Sequence, residues 1–288
     1  MSNKATGGYG GTTAGGLAQH IARSADTRCR PSRYHHRMTQ DLFRQDAYLR
    51  ECSAHITTLT DTGGIALDRT VFYPLGGGQA GDSGVLVLEG GTEIAIADTR
   101  KGKDAEGNAT SDIVHIPAPG QDDRVAQLTA GTAVIARIDW ERRHRMMRLH
   151  TTSHLLCHVV PQLVNGCSIT PDYARLDFAM TDPLDKEALT AAIATLVAAE
   201  HPLTVASISD EELDANPALV KSMSVQPPRG TGRIRTIRIG GDNDAPLIDL
   251  QPCGGTHVAN TAEIGAIVVT KIEKKSATTR RVVLGFAQ

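Results

Sequence analysis

The stretch Ala130–Pro161, AGTAVIARIDWERRHRMMRLHTTSHLLCHVVP, decides how this chain is organised. Its opening, AGTAVIARID, is the last of a series of short β-prone runs. The remainder reads as a helix: Asp139 stands where an N-cap belongs, Met146, Leu149, Leu155, Leu156 and Val159 supply apolar faces, and Pro161 falls where the last turn would fray. A β-rich half therefore gives way to a second half at this point. His150 and His154 lie four residues apart on the predicted helix and so share one face.

Upstream, ECSAHITTLT, GGIALDRTVFYPLGG, SGVLVLEGG, TEIAIADTRK and SDIVHIPA are short runs cut by Gly and Asp. Turns at that spacing predict a small antiparallel β-barrel over residues 38–139. Downstream, ARLDFAM reads as a strand. DPLDKEALTAAIATLVAAEHP reads as an amphipathic helix, starting at Asp182-Pro183 and stopping at His201-Pro202. LTVASIS is a strand, SDEELDANPALVK one or two short helices, and GRIRTIRIGG, EIGAIVVTKIEKK and TRRVVLGFA are closing strands. The fold class is therefore α+β: an N-terminal barrel, then residues 140–288 with helices packed on an antiparallel sheet. Residues 1–37, rich in Gly, Thr, Ala and Arg with Asp26 the only acid, have no apolar periodicity and read as a disordered leader, with Met38 as the functional start.

Composition narrows the class further. Apolar residues are 40% of the chain and aromatics 3%, so the cores must be mostly aliphatic. No apolar run approaches the roughly 18 residues of a membrane span. The five cysteines are scattered and odd in number, which argues against a disulfide framework and for a reducing, cytoplasmic setting. A net charge of −2 does not announce a nucleic-acid binder, so any such contact must come from local patches. Three exist. Arg142, Arg143, Arg145 and Arg148 crowd the helix. Arg233, Arg235 and Arg238 are expected on one face of a strand. Lys271, Lys274, Lys275, Arg280 and Arg281 cluster near the C-terminus. The asymmetry suggests an anionic partner for the second half, met through its backbone because aromatics for stacking are scarce.

Two motifs carry chemistry. Cys253-Gly254-Gly255-Thr256-His257 offers a thiolate and an imidazole from a Gly-Gly turn. Joined to His150 and His154 they make a tetrahedral set for one Zn2+ per chain. His158, two turns beyond His150, is not a fifth ligand, since each turn carries it about 5.4 Å along the axis. A zinc saturated by protein is usually structural and a catalytic one keeps an open position, so the role of the ion stays open at this stage. The second motif, TVFYPLGGGQAGDSG, runs Gly76, Gly77 and Gly78 into Gln79. The glycines permit either close approach to a ligand or an unusual turn. Gln79 offers an amide that donates and accepts but cannot titrate. A P-loop is excluded, because no Lys-Ser or Lys-Thr follows, and no nucleophile elbow is present.

The segments DWERRHRMMRLHTTSHLL, FYPLGGGQAGDSG, ARLDF, IDLQPCGGTHVANTAEIG and KIEKK…RRV together resemble the editing module of alanyl-tRNA synthetases. With no aminoacylation region, the chain most resembles the free-standing alanyl-tRNA editing proteins that carry the glycine-rich barrel. The match runs from Met38 to the end. The resemblance implies hydrolysis of tRNA(Ala) wrongly charged with Ser, and in many members of the family Gly, at its acceptor end, with no membrane and no obligate protein partner. It implies zinc on His150, His154, Cys253 and His257, Gln79 as the catalytic glutamine, and Gly77, Gly78, Arg175 and Asp177 near the substrate. Arg142, Arg143, Lys271, Lys274, Arg280 and Arg281 are the expected tRNA contacts. A non-catalytic zinc module that binds RNA and a zinc esterase for small molecules are the alternatives. Two positions depart from the pattern: Cys167, where a small Gly or Ser is usual, and Ser276, where Gly is common.

Overall fold

The computed structural model describes residues 39–104, 106–227, 232–241 and 246–287. The expected leader, and Met38 as a start, lie outside them. The short strand β1 (Gln40–Asp41) pairs in parallel with β4 (Arg69–Thr70). Around them run β2 (Glu51–Leu59), β3 (Ile65–Leu67), β5 (Gly84–Leu88), β6 (Glu93–Lys103), β7 (Ala109–Pro117), the single-turn α1 (Asp122–Val125) and β8 (Ala133–Ile138). β2, β3, β7, β6, β5 and β8 are antiparallel neighbours in that order, and β8 pairs back onto β2, which closes the cycle. Burial in β8 alternates strictly, with Val134, Ala136 and Ile138 inside. That is the pattern a strand shows when one face is core and the other is wet.

Helix α2 (Trp140–Val159) follows β8 after one residue, and the Asp139 carboxylate caps it by accepting from the Arg142 amide at 3.1 Å. Beyond it come β9 (Val164–Ile169), β10 (Tyr173–Ala179), α3 (Lys186–Ala198), β11 (Leu203–Ile208), α4 (Asp210–Ala215), β12 (Ile234–Gly240), β13 (Leu247–Pro252), β14 (Ile267–Ser276) and β15 (Thr279–Phe286). They form two antiparallel sheets, β14-β15-β10-β9 and β11-β12-β13. α2 touches β10 on one side and β13 on the other, and α3 lies along β14 and α2. The second half is thus α+β, with helices on antiparallel sheets.

α2 is buried on nearly all sides through its second half, including Thr151, Thr152 and Ser153. Two of these hydroxyls are satisfied inside the helix: Thr152 donates to the Arg148 carbonyl and Ser153 to the Leu149 carbonyl. Trp140 packs against both large apolar clusters, that of the six-stranded ring and that of the helices and sheets.

Three expectations are corrected. α3 begins at Lys186 and not beside Pro183; Asp185 is its cap, accepting from the Ala188 amide at 2.7 Å. The turn expected before β10 contains β9, and β13 was not foreseen as a strand. Arg235 and Arg238 differ in parity along β12, so they fall on opposite faces.

Candidate metal centre

The glycine motif is a tight turn. Gly76 and Gln79 exchange backbone hydrogen bonds at 3.0 and 3.1 Å, and Gly77 and Gly78 between them have φ of +57° and +86°. Positive φ at both central residues is the requirement of a type I′ turn, which glycine meets without strain. The turn docks on β9: Ile169 donates to the Gly78 carbonyl at 2.7 Å and Ala80 to the Ile169 carbonyl at 2.9 Å. A Cβ on Gly78 would sit 2.2 Å from Cys167 Sγ, so this close approach also needs glycine. The result is that Gln79 is carried between β9 and α2, fully buried.

There its amide oxygen accepts from His150 Nδ1 at 2.8 Å and from the Thr256 amide at 3.1 Å, while Nε2 donates to Thr256 Oγ1 at 2.9 Å. Because a backbone N–H can only donate, the oxygen end of the amide is fixed, and His150 must carry its proton on Nδ1. His154 Nδ1 donates to Asp249 Oδ2 at 2.7 Å, and His257 Nδ1 faces Thr151 Oγ1 at 3.2 Å. Each imidazole is thus held by a different partner on Nδ1, leaving Nε2 for the centre. Nε2 of His150 and of His257 lie 3.5 and 3.3 Å from Cys253 Sγ. The four ligand atoms all fall within 4.8 Å of one another.

This donor set fits a metal ion. Tetrahedral bonds of about 2.0–2.3 Å place neighbouring N and S ligands roughly 3.3–3.6 Å apart. Imidazoles oriented by hydrogen bonds on the far nitrogen are the usual support of metal-binding histidines. Electrostatics agree. Burial alone would raise the Cys253 thiol, but the His150 and His257 imidazoles outweigh it and hold the thiol well below its ordinary value. Asp249 is buried too, yet its bond to His154 and the Lys221 ammonium bring it down to about 2. Gly255 is obligatory, since a Cβ there would meet His150 Cε1 at 2.1 Å and Gln79 Oε1 at 2.9 Å.

The cluster opens onto a cavity of about 340 Å³. His150, His154, Cys253, Ser153, Cys167, Leu176 and Gly77 are among the residues that line it. Gln79 is not; it holds the His150 ring from behind. Arg175 and Asp177 are not either. Leu176 faces the cavity, and strand alternation sends its neighbours to the other face of β10, where Asp177 is forked by Arg281 at 2.7 and 2.8 Å. Gly78 is also outside the lining; its part is to make the turn.

The expected tRNA contacts divide. Arg143 is fully buried. It donates to both Asp82 carboxylate oxygens, to the Ala47 carbonyl at 3.0 Å and to the Val71 carbonyl at 2.7 Å, so no nucleic acid can reach it. Arg280 is also buried, on the carbonyls of Thr181, Ser276 and Thr279. Arg281 is bound to Asp177, and Lys271 pairs with Glu273 at 2.6 Å. Arg142 is half-buried, with Nη2 on the Gly81 carbonyl at 3.3 Å, and Lys274 is exposed on β14. Asp249, Thr256 and Thr151, which hold the ligands, were not foreseen. Asp249 and Thr256 lie within the segment that carries Cys253, and Thr151 follows His150, but polar residues there give no sign of facing a ligand from another element.

Fold and site define an α+β protein with a buried three-imidazole, one-thiol centre. Residues 234–283 match the family described as threonyl and alanyl tRNA synthetase second additional domain. The chain is 33% identical over 249 residues to the alanyl-tRNA editing protein AlaX-M of Saccharolobus solfataricus, covering 85% of this chain and 98% of that protein. It is also 33% identical over 251 residues to AlaX-M of Methanosarcina acetivorans, covering 85% and 97%. Against the alanine–tRNA ligase of Pyrobaculum arsenaticum it is 32% identical over 246 residues, 82% of this chain but 25% of the ligase. The chain belongs to the family of free-standing alanyl-tRNA editing proteins. Among the described residues no helix is long and apolar enough to cross a membrane.

Proposed function

We propose that the chain is a trans-editing hydrolase that cleaves the ester of tRNA(Ala) mischarged with serine, and of its glycine counterpart, in the cytoplasm. Residues 38–139 form its barrel and 140–288 its editing domain. The observation that carries this reading is the convergence of His150, His154, Cys253 and His257, the first three of them lining a cavity, with each imidazole met by its own partner. These four residues would hold zinc, which when bound would supply Lewis-acid chemistry at the cavity wall.

The chain's own groups do the rest. Gln79 and Thr256 fix the His150 ring, and Asp249 fixes the ring of His154. Ser153 lines the cavity, but its hydroxyl is spent on the Leu149 carbonyl and faces no base, so the water attacks the ester directly with no acyl-enzyme. Editing is needed because a synthetase gains only about 1–3 kcal/mol from one methylene. A polar centre can select serine over alanine, since alanine leaves the partner of the missing hydroxyl unpaired.

Deacylation of seryl-, glycyl- and alanyl-tRNA(Ala), with and without chelator, tests the proposal. Wild type hydrolyses the seryl ester, spares the alanyl ester and loses activity with chelator. Cys253→Ala and Gln79→His reduce turnover. No turnover at all marks a binding-only zinc module, and turnover of a free seryl ester at the same rate as the tRNA marks a small-molecule esterase.

A further inference from the structure

Among the described residues, the cavity is lined by Arg44, Lys101, Lys221 and Arg235 but by no Asp or Glu. Lys221 is neutralised by Asp249. Arg44 is itself paired with Asp41, through Nε, which leaves its Nη1 to the cavity side. Arg44, Lys101 and Arg235 are brought together from the 3-10 turn Leu42–Arg44, from β6 and from β12. Arg44 and Lys101 stand outside the basic clusters that the sequence offered for an anionic partner, and several members of those clusters are spent on internal partners.

Two of the three sit on the turn that supplies a metal ligand. Arg235 Nη1 donates to the Cys253 carbonyl at 2.6 Å and the Gly255 carbonyl at 3.1 Å. Arg44 Nη1 lies over Gly254, 3.2 Å from where a Cβ would stand. Arg235 Nε is buried with no hydrogen-bond partner among the described residues, a donor left short of an acceptor. Lys101 is exposed at the mouth and makes no ion pair among the described residues.

We propose that Arg44, Lys101 and Arg235 form a phosphate-binding rim for the 5′ phosphate group of the nucleotide that carries the aminoacyl ester. The inference rests on the editing reading for its choice of anion. An ester on the terminal ribose and the phosphate of the same nucleotide are one sugar apart. A rim standing on the Cys253–Gly255 turn is one turn's width from the centre that would receive the ester. The rim therefore reads the nucleotide's charge, and the cavity reads the amino acid.

The test is equilibrium binding by titration calorimetry of full-length protein with a stable amide analogue, 3′-seryl-amino-3′-deoxyadenosine, with and without a 5′-phosphate. Binding is independent of turnover, so a failure of hydrolysis would sink the editing reading and leave this test intact. We expect the phosphate to strengthen binding to wild type by about tenfold or more. Lys101→Gln cuts that advantage roughly fivefold and Lys101→Arg restores it. Arg44→Gln reduces it as well. Equal binding of the two analogues by wild type overturns the proposal. So does a phosphate advantage that survives intact in the Lys101→Gln/Arg44→Gln double variant.

Discussion

Replacing Arg143 with Met separates two views of that residue. On sequence it is one of four arginines on a helix; in the structure it is the buried bolt between α2 and the loop that carries Gln79. Arg143→Met leaves the Asp82 carboxylate buried with the Tyr73 amide, at 2.6 Å, as its remaining close donor, and it orphans the carbonyls of Ala47 and Val71. An unpaired buried charge costs about 3–5 kcal/mol. The two carbonyls add about 1 kcal/mol each. The total, roughly 5–7 kcal/mol, is a large share of the 5–15 kcal/mol that holds a domain folded. In urea, with a slope of about 3 kcal/mol/M for a chain of this size, the midpoint falls by roughly 2 M. Removing both charges in Asp82→Leu/Arg143→Met recovers part of the loss, because an apolar pair is no worse than a buried ion pair. A midpoint shift of less than about 0.3 M in Arg143→Met, together with weakened tRNA binding, would refute the burial argument and return Arg143 to the nucleic-acid surface.

Four further outcomes are expected. His115 lies inside the ring, its Nδ1 on the Ile65 carbonyl at 2.9 Å and its Nε2 on Thr70 Oγ1 at 2.8 Å, and burial pushes it down to about 4. The folded protein therefore binds fewer protons than the unfolded chain between about pH 6.5 and 4. The His115 contribution is whole above that window and is lost through it, by about 3 kcal/mol, so His115→Gln flattens the acid limb of the stability curve; parallel wild-type and variant limbs would refute this. Gly255→Ala forces the His150 ring aside and abolishes bound zinc by elemental analysis while leaving the fold, by circular dichroism, in place. Asp249→Asn, which keeps the shape but not the charge facing His154, weakens zinc binding about 10- to 100-fold in a competition titration. Zinc retention by wild type falls between neutral pH and about pH 5, because the imidazoles must be neutral and the thiol ionised to bind it; constant occupancy across that range would exclude the ligand set.

What the sequence disclosed was what is local. Asp139, the apolar faces of α2 and the four-residue spacing of His150 and His154 are signals contained within one helix, and they survive folding unchanged. The paired glycines at 77 and 78 announced an unusual turn for the same reason. What the sequence hid depends on partners far along the chain. Arg143 and Asp82 are 61 residues apart, and nothing near either says that they meet. β9 has no burial alternation to betray it, and it is a strand because it pairs with β10. Asp182 and Asp185 are both reasonable caps for α3, and the choice between them is made outside the helix. Arg175 and Asp177 came from the resemblance alone, and which face of β10 each takes depends on strand parity, Leu176 being the one that lines the cavity.

The hydrogen bonds of Gln79 reach a threonine 177 residues away and a histidine 71 residues away. A fragment keeping only the second half would still own every sulfur and imidazole donor, yet the ring of His150 would be free to spin. The metal-type cluster of the second half is therefore completed by a side chain of the first, so the two halves share one site.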